Sequence, residues 1–109
     1  MGGRSLGFCG VERDSADYAS APVVILPIPF DKTSTWIKGA DKGPVAIIEA
    51  SRYLEFYDLE TETEVLKRGL FTAEPIQAVS SSAMIKRADV LVSRFLEDGK
   101  LVVTLGGEH

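Results

Sequence analysis

From Val23 the chain reads Val-Val-Ile-Leu-Pro-Ile, a compact apolar stretch rich in β-branched residues, with Pro27 inside it and Pro29 just after it. That pattern predicts a buried strand over Val23 to Ile28 ending in a turn, because proline has no amide to continue a ladder. Gly43-Pro44 then opens a helix, since a proline at the first helical position loses no hydrogen bond and already has the required φ. Ala46, Ile47, Ala50 and Leu54 fall on one face of it and leave Glu49, Arg52 and Glu55 for water, so the helix is expected to cover a sheet. Phe56 to Glu64 is acidic and threonine-rich with little apolar content. After Lys67-Arg68-Gly69, the short run Leu70-Phe71-Thr72 reads as an edge strand. A second helix has the clearest pattern: Ser82 as cap, Met84, Ala88, Leu91 and Phe95 as the stripe with Ile85 and Val92 alongside, and Asp98-Gly99 as the stop. Leu101-Val102-Val103-Thr104-Leu105 is a continuous apolar run of the kind found in interior parallel strands covered on both faces.

A strand, a covering helix and another strand imply right-handed crossovers and a parallel sheet. The fold class is therefore α/β, and both apolar strands should emerge on the side where open α/β sheets carry their sites. The connection from Pro29 to Gly43 has no period and exceeds the usual strand-to-helix link, which marks it as a candidate functional loop. Residues 1–21 mix glycine, charge and small side chains and read as a leader arm that needs a partner surface to order. Residues 22–109 form the α/β domain.

Composition narrows the partners. The hydrophobic share of 45% and charged share of 26% are those of an ordinary globular chain. A net charge of −4 with scattered Lys and Arg argues against nucleic acid and anionic membrane as partners. One cysteine, Cys9, cannot form an internal disulfide, and no signal peptide or spanning apolar run is present, so the expected location is cytoplasmic. Cys9 has no histidine near it in sequence to activate it and reads as an incidental thiol.

Candidate chemistry gathers just past the last strand, at Gly106-Gly107-Glu108-His109. Two glycines let the backbone turn tightly, after which a carboxylate and an imidazole project from the strand's carboxyl edge. Imidazole is the commonest metal ligand, and a neighbouring carboxylate can orient it or move a proton; an incidental terminal histidine is the other reading. A phosphate loop does not fit, because the Gly-x-Gly-x-x-Gly and Gly-Lys-Ser/Thr spacings are absent and Glu108 would repel the anion.

Five segments in register resemble one family: Leu26-Pro27-Ile28-Pro29-Phe30-Asp31; Thr33-Ser34-Thr35 leading to Gly39-Ala40 and Gly43-Pro44; Ala46 to Ser51; Thr72-Ala73-Glu74-Pro75-Ile76; and Leu105 to His109. Together they look like the amino-terminal third of a ureohydrolase of the arginase/agmatinase family, most like its agmatinases. The resemblance implies a truncated, partial arginase-like three-layer fold with a parallel central sheet. It also implies two manganese ions (Mn2+) per site in a full-length parent, and hydrolysis of agmatine to putrescine and urea by metal-activated water. His109 matches the family's first manganese-binding histidine; Glu108 stands where many members carry Asp and is expected to be a supporting acid.

The family's later aspartate-rich motifs do not occur in residues 1–109, so metal binding by this piece is expected to be weak or absent, and the piece inactive alone. Asp41-Lys42 replaces the arginine that relatives often carry after Gly-Ala. Asp31 and Trp36 are the expected substrate contacts, the first by attracting a cation and the second by walling the site mouth, with packing at a subunit interface as its other role, against the plainer readings of a solvated turn acid and ordinary loop packing. The resemblance further implies a small guanidino substrate such as agmatine and a homo-oligomeric parent. The competing expectation is a complete, non-catalytic α/β protein-interaction module that uses its acidic surface and open sheet edges.

Overall fold

A computed structural model describes residues 7–11, 17–32, 39–55 and 57–107. In chain order it contains a 3₁₀ turn at Phe8–Gly10, strand β1 (Val23–Ile28), a 3₁₀ turn at Ala40–Lys42, helix α1 (Gly43–Ser51), short strands β2 (Tyr57–Asp58) and β3 (Thr63–Glu64), a 3₁₀ turn at Val65–Arg68, strand β4 (Leu70–Thr72), helix α2 (Ser81–Glu97) and strand β5 (Leu101–Gly106). The main sheet has the order β4-β1-β5 and is parallel throughout. One face of β1, through Val24 and Leu26, packs with Phe95 of α2 in the central core; α1 covers part of the other face. This is the α/β class that the periodicity implies.

The first proline does not end β1. The strand pairs with β5 over its whole length, with Pro27 opposite Leu105. Carbonyls of Ile25 and Pro27 accept from Ala73 N (2.8 Å) and Ile76 N (3.1 Å), so these residues address the β4 side, while Ile28 O accepts from Gly107 N (3.0 Å) on the β5 side. The β4 ladder stops at Thr72 opposite Ile25, before Pro27 is reached. The missing amide therefore falls outside the ladder, which is how a proline is tolerated in a central strand.

Helix α2 begins two residues earlier than expected. Ser80, in extended conformation, is the cap, and its side chain accepts from Ala83 N at 3.2 Å. Three consecutive serines gave the pattern no means of choosing among them. The stripe Met84, Ala88, Leu91, Phe95 with Val92 does face the core, whereas Ile85 is exposed. Gly99 ends the helix at φ +77, a left-handed conformation that suits glycine.

Helix α1 presents a different face from the expected one. Pro44, Ile48 and Ser51 are buried, while Ile47 and Leu54 are exposed together with Val45; Ala46 and Ala50 also face outward. The run Pro-Val-Ala-Ile-Ile is apolar nearly all round, so packing rather than periodicity selects its inner face. Ser51 fixes the choice: its hydroxyl accepts from Cys9 N at 2.7 Å and donates to Ile48 O at 2.6 Å.

One element is unanticipated and one expectation is corrected. The acidic stretch before Leu70 holds a small antiparallel hairpin, β2 with β3, whose turn is tied by Asp58, accepting from Glu60 N (3.1 Å) and Thr61 Oγ1 (2.8 Å). Strand β5, expected in the interior, is an edge among the described residues, with Leu101 65% exposed. Its apolar run encodes cover on both faces and both edges that these residues do not supply.

The described parts of the leader order against the domain itself. Phe8 N donates to Thr72 Oγ1 at 2.9 Å. Lys100, 7% exposed, sends its ammonium to the carbonyls of Tyr18 (2.5 Å), Ala19 (3.2 Å) and Ala21 (2.6 Å) and stands 4.5 Å from the centre of the Tyr18 ring. That ring meets Phe71 edge-on at 5.1 Å, and its hydroxyl donates to Asp98. No helix among the described residues is long and apolar enough to cross a membrane.

Candidate functional site

Parallel pairing brings three chain exits to one rim. After β1 comes Pro29 to Lys32, after β4 comes Ala73 to Ala78, and after β5 comes Gly107. Hydrogen bonds from Ala73 and Ile76 to β1 continue its pairing past the end of β4 and bury both side chains while Glu74 stays exposed. Ile28 O accepts from both Phe30 N (2.8 Å) and Gly107 N (3.0 Å) and so joins the first and last exits. A Cβ at Gly107 would run into the Phe30 carbonyl oxygen, so this close approach requires glycine. Gly43, the first residue of α1, is also at this rim, since a Cβ there would lie 3.4 Å from Gly106 O.

Asp31 lies in the rim. Its Oδ2 accepts from the amides of Gly39 (2.6 Å) and Ala40 (3.1 Å), so the carboxylate holds the start of the Ala40–Lys42 turn. Between the exits of β1 and β4 is a polar cavity of about 300 Å³, walled by residues 29–32, Asp41 and residues 76–78. Asp31 and Asp41 therefore share a cavity with Lys32. Trp36, Glu108 and His109 lie outside the described residues. Among the described residues no three His, Cys, Asp or Glu side chains group to hold a metal ion.

The sequence places Asp31 at this rim as an expected substrate contact, and here its carboxylate is bonded to the amides of Gly39 and Ala40; residues 76–78 were not anticipated as a wall, their one signal being the Thr72-Ala73-Glu74-Pro75-Ile76 segment. A larger, mostly apolar cavity of about 400 Å³, bordered by Phe8, Leu54, Tyr57 and Leu70, is at the opposite end of the sheet, where Val23 and Leu70 begin their strands. Cys9 is at that end; burial pushes its thiol up, away from the thiolate a nucleophile needs.

The segments that meet at the rim are those that carry the resemblance, and a model of the arginase family matches residues 21–109. The chain belongs to the arginase family. It is 40% identical over 99 residues to N(1)-aminopropylagmatine ureohydrolase of Synechocystis sp., a match covering 84% of this chain and 32% of that protein. The crystal structure of agmatine ureohydrolase of Thermoplasma volcanium superposes with a TM-score of 0.83 at 29% identity, covering 96% of this chain and 36% of that one. Formiminoglutamase of Trypanosoma cruzi, solved with Mn2+, shares the fold at a TM-score of 0.71 and 22% identity, over 84% of this chain and 33% of its own. Thus this arginase-family chain spans about a third of the length of the relatives it matches.

Proposed function

We propose that this chain contributes the amino-terminal part of a manganese-dependent ureohydrolase that cleaves a guanidino compound of the agmatine type, agmatine itself or its aminopropyl derivative, and is inactive as a separate piece. The observation that carries the reading is the convergence of Ile28–Asp31, Thr72–Ile76 and Leu105–Gly107 on one rim, linked by the hydrogen bonds to Ile25, Pro27 and Ile28. Those segments are where the family resemblance is concentrated, and the carboxyl rim is where open α/β sheets place their chemistry. The activities for which the Synechocystis and Thermoplasma relatives are named support the substrate class.

Manganese belongs to this reading through the family and through His109, two residues beyond Gly107 in the sequence; the described residues alone do not make a metal centre, and no step is assigned to one. What they do supply is positioning. Gly107 holds the exit of β5 against Phe30, and Asp31 fixes the loop that borders the site. The edge of β5, unpaired among the described residues, and exposed Val45, Ile47, Leu54 and Leu101 fit a unit that packs against further protein.

The test replaces the matching segment of the Synechocystis enzyme with residues 21–109 and measures urea release with manganese. Agmatine, aminopropylagmatine, arginine, formiminoglutamate and guanidinobutyrate serve as substrates. Release from agmatine or its aminopropyl derivative, abolished by His109→Ala, is expected. A folded chimera that binds manganese yet is inactive on all five compounds overturns the reading.

A further inference from the structure

The geometry points to the cavity of about 300 Å³ beside the rim as a subsite for the terminal aminopropyl arm that distinguishes aminopropylagmatine from agmatine, with Asp41 as the residue that reads its charge. This deepens the ureohydrolase reading and rests on it. The volume stands at the lower bound of ligand cavities, roughly 300 Å³, which suits one arm of a chain-like molecule rather than the whole of it. Among the described residues the lining is polar and carries the carboxylates Asp31 and Asp41 with the cation Lys32, so it favours a positively charged occupant.

The two carboxylates have different work. Asp31 is engaged by the amides of Gly39 and Ala40, which fixes the turn that follows. Asp41 sits in that turn, one residue beyond the second amide, and is exposed. Asp31 is thus the positioning residue and Asp41 the acid available to an ammonium. Gln77, exposed on the opposite wall, adds an amide oxygen that can accept from the same group. Since the walls come from the exits of β1 and β4, an arm seated here extends from the rim itself.

The experiment uses the 109-residue chain, labelled with ¹⁵N and titrated with 1,3-diaminopropane. Saturable shifts confined to the amides around 31–32, 41 and 76–78, lost in Asp41→Asn and retained in Asp41→Glu, are expected. Shifts centred on the acidic hairpin 57–64, or shifts indifferent to Asp41→Asn, overturn the subsite. In the active chimera, Asp41→Asn should raise KM for aminopropylagmatine about tenfold, one hydrogen-bonded ion pair's worth, and leave that for agmatine near its starting value. An equal change for both substrates also overturns it. A folded, manganese-binding chimera inactive on every compound overturns the ureohydrolase reading, and the titration still decides whether the cavity takes an ammonium.

Discussion

Replacing Lys100 with methionine preserves most of the buried stem and removes only the ammonium that three leader carbonyls share. A hydrogen bond from a charged donor contributes roughly 1.5–3 kcal/mol, so the two short ones, to Tyr18 and Ala21, represent about 3–6 kcal/mol. The contact with the Tyr18 ring adds about 1 kcal/mol. Against this, the substitution recovers part of the several kcal/mol that burying an ammonium costs. Tyr18 and Ala19 lie in a partly exposed turn, so their freed carbonyls regain water, whereas that of Ala21 stays buried. The expected net loss is about 2–3 kcal/mol, concentrated in residues 17–22 rather than spread over the sheet.

Amide hydrogen exchange reads this locally. Ala21 N is bonded to Asp17 O at 3.1 Å, and Leu101 N to Pro22 O at 2.9 Å, so both amides report the leader's attachment. Their exchange should accelerate about thirtyfold or more in the variant, whereas Val103 in β5 should change far less. Tyr18→Phe, which removes only the hydrogen bond to Asp98, should act weakly by comparison. Exchange at Ala21 within about threefold of the parent chain would refute the account of Lys100 as the leader's anchor.

Two other expectations follow from local geometry. Gly107→Ala places a Cβ against the Phe30 backbone and should cost about 1–3 kcal/mol in urea unfolding, since neither strand exit is free to retreat; an unchanged midpoint would show that the approach at the rim is loose. The hydrogen bond from Thr61, followed by that from Glu60 N, lowers the Asp58 carboxyl from its ordinary value. A lowered folded value means that the contribution to the hairpin is present above the unfolded aspartate range, about 3.9, and is lost as pH falls through the folded value. A ¹³C carboxyl titration should therefore give a midpoint below that of a free aspartate, and Thr61→Val should move it upward; a midpoint at or above the free value would contradict the turn geometry.

The sequence determined what depends on residues near each other along the chain. Val23–Ile28 had to be a strand because β-branched residues pack well on a pleated surface, α2 had to be a helix because its core positions recur at one face, and Gly99 had to stop it. The parallel direction of the strands followed, and with it the rim where Asp31 and Gly107 lie.

Only the tertiary structure decided what depends on neighbours distant in the chain. Pro27 is tolerated because β4 ends before its missing amide would matter, a fact of register that no local pattern contains. The inner face of α1 was chosen by Ser51 meeting the amide of Cys9, since a helix apolar nearly all round has no preference of its own. Asp41 joins residues 76–78 in one cavity for the same reason: hydrogen bonds to the end of β1 carry the exit of β4 across the rim, and a carboxylate's partners are set by that approach rather than by spacing in sequence.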